Sequence, residues 1–186
     1  PHLNPVDCSK VTDGAASLVV LSEEGLKKCG IPKSETIQIV GMGEAEADIT
    51  QNPHELTVLS TTEIAAHKAL QMAQITLDDL ALLELHDCFT ITGIMALEAI
   101  GFASKGKGPA FVLEGYTRKE GVIPTNLSGG LGGFGHPTGA TGVRQMVDLH
   151  MQLTQKAPNQ VPLKKSHGMM VSMGGNDKTV TSFVVT

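Results

Sequence analysis

Two short stretches of this chain concentrate the side chains able to do chemistry. ELHDCF sets His86, Asp87 and Cys88 in succession. GGLGGFGHPTGATG, running from Gly129 to Gly142, surrounds a single histidine, His136, with glycines. Neighbouring imidazole, carboxylate and thiol groups can relay a proton, activate a nucleophile or ligate a metal. Cys88 follows a run that reads as a strand and precedes one that reads as a helix. Strand C-terminal ends are where α/β proteins commonly place their sites, and a thiol near a helix N-terminus tends to titrate low. Cys88 is therefore a candidate acid/base. The plainer alternative is a buried small hydrophobe, the commonest fate of a free cysteine.

His136 stands between Gly135 and Pro137. Glycine lets backbone approach a ligand closely, and Pro137 is well placed as the first residue of a helix. An imidazole here could donate to a developing oxyanion or activate a thiol; the alternative is an incidental loop histidine. Gly130, Gly132 and Gly135 satisfy G-x-G-x-x-G, but Pro124 and TNLSGG precede them where a dinucleotide site needs a strand. No acidic strand-end residue follows about 20 positions later, and the Gly-Lys-Ser/Thr of a phosphate loop is missing. His86, Cys88 and His136 could converge on zinc, yet neither C-x-x-C nor H-x-x-x-H spacing supports it, so no metal is expected.

These residues need a scaffold, and the pattern supplies one. Leu18 to Leu21 is an apolar run that reads as a first strand, followed by Ser22 as the cap of a short helix that Gly30 and Pro32 stop. Ile37 to Val40 alternates as a strand. Ser60 and Glu63 form a possible capping box, and Ala65, Ala66, Ala69, Leu70 and Ala73 share one helical face. Thr76 and Asp79 repeat the cap pattern. Leu82 to His86 reads as a buried strand, about Phe89 to Ile100 as a helix, and KGKGPAF as a solvated loop. Val143, Met146, Val147, His150 and Leu153 mark an amphipathic helix. GMMVSM and KTVTSFVV close the chain as two strands around a turn at Gly174–Asn176. The expectation is one α/β domain over residues 1–186, a five-stranded mixed sheet with helices on both faces.

Bulk properties narrow the function. The chain has 186 residues, 41% of them hydrophobic, with a net charge of −5 and no tryptophan. No basic run is present to grip nucleic acid or an acidic membrane, base stacking is poorly supplied, and no apolar run reaches the roughly 18–20 residues of a membrane span. Cys8, Cys29 and Cys88 lie far apart and are odd in number, which suggests a reducing, intracellular setting without a disulfide framework. Mitochondrial, peroxisomal and bacterial cytoplasmic locations are not distinguished.

Taken together, the motifs resemble the C-terminal half of a thiolase. TDGAASLVVLSEEG is similar to that family's Asp-Gly-Ala-Ala entry, and GGFGHPTGATG to its Gly-His-Pro-x-Gly-Ala-Ser/Thr-Gly motif. HDCF stands where most thiolases carry Asn-Glu-Ala-Phe and is similar to the sterol-carrier-protein type. The resemblance implies an acetyl-CoA acyltransferase fold and chemistry: cleavage of 3-ketoacyl-CoA by coenzyme A, or the reverse Claisen condensation, with coenzyme A as substrate and no cofactor. It implies that His136 activates a nucleophilic cysteine and helps form an oxyanion hole, that His86 helps hold the other oxyanion hole, and that Cys88 moves the α-carbon proton. It further implies a backbone N–H of Met170 pointing into the site, Ser9 near the pantetheine, and Gly135 at the substrate. In HGMMVSMGG, Gly168 falls where many thiolases carry a second cysteine. The acyl-accepting cysteine and most of the coenzyme A pocket would lie on an N-terminal half outside these residues. The expected partners are therefore acyl-CoA and that half, in a homodimer or homotetramer, and the isolated chain is expected to be inactive. A non-catalytic, thiolase-like binding or scaffold domain is the alternative.

Overall fold

The computed structural model describes residues 3–53 and 55–186. Ser22 accepts from the Gly25 N–H, and Gly30, at φ 67°, closes helix α1 (Glu23–Cys29). Both caps are local and fall where the side chains dictate. Strand β1 (Ile39–Glu46) follows, then α2 (Ser60–Ala73), β2 (Leu80–Leu85), α3 (Thr90–Ile100), α4 (Gly108–Leu113), α5 (Gly130–Gly133), α6 (Thr141–Leu153), β3 (His167–Gly174) and β4 (Thr179–Val185).

The strands form one mixed sheet in the order β1-β4-β3-β2. β4 pairs antiparallel with β1 and β3, and β2 runs parallel to β3 from Leu80↔His167 to Leu85↔Val171. The parallel pair must be covered on both faces, and it is. Ala65, Ala69 and Leu70 of α2 and Leu97 of α3 pack with Leu83, Leu85, Met169 and Val184 on one face. Met146 and Leu149 of α6 pack with Leu82, Met170 and Val185 on the other. The small-residue face of α2 sits hard on β1: a Cβ on Gly43 would lie 1.9 Å from the Ala65 carbonyl oxygen, and one on Gly41 2.2 Å from that of Ala69. Because the contact demands glycine, β1 continues through Gly41 and Gly43 rather than stopping at Val40.

Several expectations are corrected. The sheet has four strands, not five: Leu18 to Leu21 pairs with no strand among the described residues, and Val19 and Val20 are 81% and 70% exposed. A strand exists only by pairing, and no edge of this sheet receives that run. Helix α2 is not started by a Ser60/Glu63 box. The buried Asp177, from the β3–β4 turn, accepts from the backbone N–H groups of Thr61 and Thr62 at 2.9 Å each. The Thr76/Asp79 box does form, at a single 3₁₀ turn. Part of KGKGPAF is helix α4, whose Gly108 N–H donates to Glu98 Oε1 at 2.8 Å. Pro137 does not open α6; it closes a turn onto Ala140 and Thr141, and α6 starts at Thr141.

Candidate functional site

β2 ends at Leu85, so His86, Asp87 and Cys88 fall between its C-terminal end and α3. The outer edge of β2 is finished by the segment before the glycine-rich stretch. Leu83 N–H donates to the Pro124 carbonyl, and Asn126 N–H to that of Leu83, both at 3.0 Å. The Asn126 side chain then behaves as one more strand residue. Its Oδ1 accepts from Leu85 N–H at 2.8 Å and its Nδ2 donates to Leu85 O at 3.0 Å. The strand is thus held rigid up to the residue before His86.

The glycine-rich stretch folds back over that strand end. Leu131 N–H donates to Asp87 Oδ1 at 2.7 Å. The rings of His86 and His136 meet edge to face, with centroids 4.9 Å apart and planes at 86°. On the outer side of the stretch, the Arg144 guanidinium lies 4.0 Å over the Phe134 ring and pairs with Asp148 at 3.0 Å. Residues near the N-terminus strap both segments. Ser9 N–H donates to the Cys88 carbonyl at 2.8 Å, Cys8 bridges Phe89, and Thr12 Oγ1 accepts from His136 N–H at 2.8 Å. A Cβ on Gly135 would come within 3.1 Å of Thr12 Oγ1, and φ there is +120°, so glycine is needed.

Hydrogen bonding sets the state of His136. Thr141 Oγ1 lies 2.7 Å from His136 Nδ1 and donates its own hydrogen to the Pro137 carbonyl at 3.1 Å. A hydroxyl whose proton is so committed accepts from Nδ1–H. Neutral His136 therefore keeps its lone pair on Nε2, the tautomer a general base requires. Partial burial lowers its pKa, and the Asp87 carboxylate acts in the opposite sense. His86 is buried, with its Nδ1 unpaired among the described residues. Burial, and secondarily the neighbouring His136, pull its pKa down to about 4, so it is a neutral imidazole near pH 7. Glu84, two residues back on the same face of β2, is pushed up to about 8 by burial and by Asp148.

The expectation of a low-titrating thiol at Cys88 is corrected. Burial raises its pKa, and the Asp87 charge adds to this, against a lowering backbone hydrogen bond from Phe89. The helix-end effect is local and small beside desolvation. At neutral pH Cys88 is a thiol, a proton donor before it is a base.

The structure brings His86, Asp87, Cys88, Ser9, Gly135 and His136 together. Met170 is elsewhere: it lies inside β3, 2% exposed, paired with Glu84 and packed on the α6 side. HGMMVSMG forms β3, the strand expected over GMMVSM. Gly168 pairs with Leu82, and a Cβ there would strike Leu149, which puts it roughly 13 Å along the strand from the level of His86. Continuing the register sets Ser172 beside His86 instead, and Ser172 Oγ lies 3.3 Å from where a Cβ on Gly142 would stand. Thr12, Asn126, Thr141 and Ser172 escaped the reading of the sequence. Only Thr141, five positions from His136, had a local signal. Among the described residues no group of three or more His, Cys, Asp or Glu is arranged to hold a metal. A groove of about 1150 Å³ opens beside the site, bordered by Phe89, Ile91 and Met95 but not by either histidine.

Comparison with known proteins gives a consistent picture. A family model described as thiolase C-terminal domain-like matches residues 41–186. An acetyl-CoA acetyltransferase of Methanothermobacter thermautotrophicus is 35% identical over 178 residues, 95% of this chain and 46% of that protein. Sterol carrier protein 2 of Oryctolagus cuniculus is 34% identical over 86% of this chain and 30% of its own. The crystal structure of the Bacillus anthracis acetyl-CoA acetyltransferase superposes with a TM-score of 0.68 at 23% identity, over 96% of this chain and 37% of that one. The chain spans about half the length of the archaeal acetyltransferases it matches.

Proposed function

This chain belongs to the thiolase family through its C-terminal domain, and on that premise we propose that it carries the acid/base half of an acyl-CoA thiolase. The reaction is cleavage of a 3-ketoacyl-CoA by coenzyme A, or the reverse condensation. The observation that carries the reading is the edge-to-face pair of His86 and His136 at 4.9 Å, with Thr141 holding His136 in the Nε2-basic tautomer.

In this reading the nucleophilic cysteine lies outside these residues, on the N-terminal half. His136 Nε2 takes its proton, and the thiolate attacks the keto carbon. The carbon–carbon bond then breaks, leaving its electron pair on the α-carbon of acetyl-CoA. The Cys88 thiol protonates that carbon, a role its raised pKa suits. Coenzyme A finally takes the acyl group from the cysteine. His86, neutral near pH 7, donates to a thioester oxygen as charge develops there. Without the N-terminal half, the chain alone turns nothing over.

The test is deuterium exchange into the methyl group of acetyl-CoA in D₂O, read beside acyl-enzyme formation by mass spectrometry, on the protein joining this chain to its N-terminal half. Cys88→Ala should still form the acyl-enzyme, because His136 remains, and should lose methyl exchange. Exchange as fast as in the parent refutes Cys88 as the α-carbon acid/base.

A further inference from the structure

Asp87 has no role in the mechanism above, yet it joins the segments that carry the two histidines. Its carboxylate faces the start of the glycine-rich stretch from the end of β2. Oδ1 accepts from Leu131 N–H at 2.7 Å. Oδ2 fills the space beside Gly130, where a Cβ would lie 2.1 Å from it, and Gly130 holds φ at +61°. On its other side Asp87 is wedged against α3, where a Cβ on Gly93 would come within 3.1 Å of its own Cβ. The carboxylate is therefore held by the Leu131 amide against Gly130, and its stem is packed against Gly93 of α3.

The placement matters because the two histidines arrive on separate segments. His86 comes with the end of β2, which Asn126 makes rigid. His136 comes with a stretch containing Gly129, Gly130, Gly132, Gly133 and Gly135, whose backbone has many conformations open to it. Thr12 and Arg144 fasten the far part of that stretch, at His136 N–H and the Phe134 ring. Asp87, the residue next to His86, fastens the near part at Leu131 N–H.

We propose that Asp87 is a positioning residue, its carboxylate locking the glycine-rich turn onto the strand end so that His86 and His136 keep their edge-to-face register. The bond is charge-assisted, and such bonds are shorter and stronger than neutral ones. It also works through a single short side chain, so the register has little slack. The functional consequence rests on the proposed roles of His86 and His136; the positioning itself does not.

Three readouts on the full chain test it, none of which needs turnover. In Asp87→Ala, the Leu131 amide should exchange with deuterium roughly 10–100-fold faster, the range expected when a charge-assisted bond is lost. The cross-peak between the ring protons of His86 and His136 should vanish from nuclear Overhauser spectra. Asp87→Asn keeps one acceptor oxygen and should restore the cross-peak and most of the protection, a rescue that loss of charge alone would not allow. If Asp87→Ala does not fold, the parent protein decides: its Leu131 amide should be protected from exchange and show a scalar coupling across the hydrogen bond to the Asp87 carboxylate carbon. A cross-peak and amide protection unchanged in Asp87→Ala, or a parent Leu131 amide without that coupling, overturns the proposal. A lost cross-peak with acyl transfer unimpaired in the two-half protein leaves the positioning standing and refutes the proposed role of the histidine pair.

Discussion

Thr141→Val is a sharp test of how His136 is prepared. The substitution is close to isosteric at a residue only 2% exposed. It removes two interactions at once: the acceptor for His136 Nδ1–H at 2.7 Å and the donor to the Pro137 carbonyl at 3.1 Å. A net hydrogen bond of about 0.5–1.5 kcal/mol at Nδ1 is what favours the tautomer with a basic Nε2, so its loss should lower the ratio of that tautomer to the other roughly two- to tenfold. Losing both bonds in a buried setting should cost roughly 1–3 kcal/mol of folding stability. The assay is nitrogen-15 spectroscopy of the His136 ring, in which the protonated and bare nitrogens resonate far apart, beside the acyl-transfer rate of the protein joined to its N-terminal half. Thr141→Ser keeps the hydroxyl and should restore both tautomer and rate. If Thr141→Val keeps Nδ1 protonated and transfers acyl groups at the parent rate, the hydroxyl does not set the tautomer and the argument fails.

Three further outcomes bear on the fold and its buried groups. His86 titrates at about 4 folded against about 6.5 unfolded, so the unfolded chain binds more protons across that interval. Stability should therefore fall by up to about 3 kcal/mol as pH drops from about 6.5 to about 4, and denaturant melts of His86→Gln should lack that acid-side loss. Glu84 has the opposite sign: its folded pKa of about 8 lies above the unfolded value, so Glu84→Gln should gain on the parent as pH rises from about 4.5 to about 8, and a flat difference would refute its burial as an acid. Gly43→Ala would place a methyl 1.9 Å from the Ala65 carbonyl oxygen, so α2 must lift from β1, at a cost of roughly 2–3 kcal/mol in equilibrium unfolding. A loss below about 0.5 kcal/mol would mean the helix is not seated as described.

How much of this could be read from the residues alone divides by range. Ser22 and Gly30 announce helix α1 because their bonds stay within one turn. The alanines of α2 announce a close contact, though not that Gly41 and Gly43 would be its other side. The cap of α2 could not be read, because Asp177 reaches Thr61 from 116 positions away. Thr12 was equally hidden, since its partner His136 lies 124 positions on. The level of Ser172 is a matter of register, which the hydrophobic pattern of β3 does not number. At Cys88 a local rule misled: the helix end argues for a low pKa, and only the packed structure shows that desolvation outweighs it. His86 and His136 were recognisable as chemistry, but their contact comes from the fold of a glycine-rich stretch without pattern of its own.

The run from Leu18 to Leu21 has a practical consequence for anyone producing this chain by itself. Four consecutive large apolar residues, two of them valines, stand 36–81% exposed with no strand beside them among the described residues. A stretch of high β-propensity in that condition is a template for a second copy of itself, and molecules can stack through it into insoluble material. Glu23 and Glu24 act as charged gatekeepers at one end. At the other end Gly14, Ala15, Ala16 and Ser17 offer none. Soluble yield should then fall as concentration rises, and an aspartate at Val19 or Val20 should recover it without disturbing the four-stranded sheet.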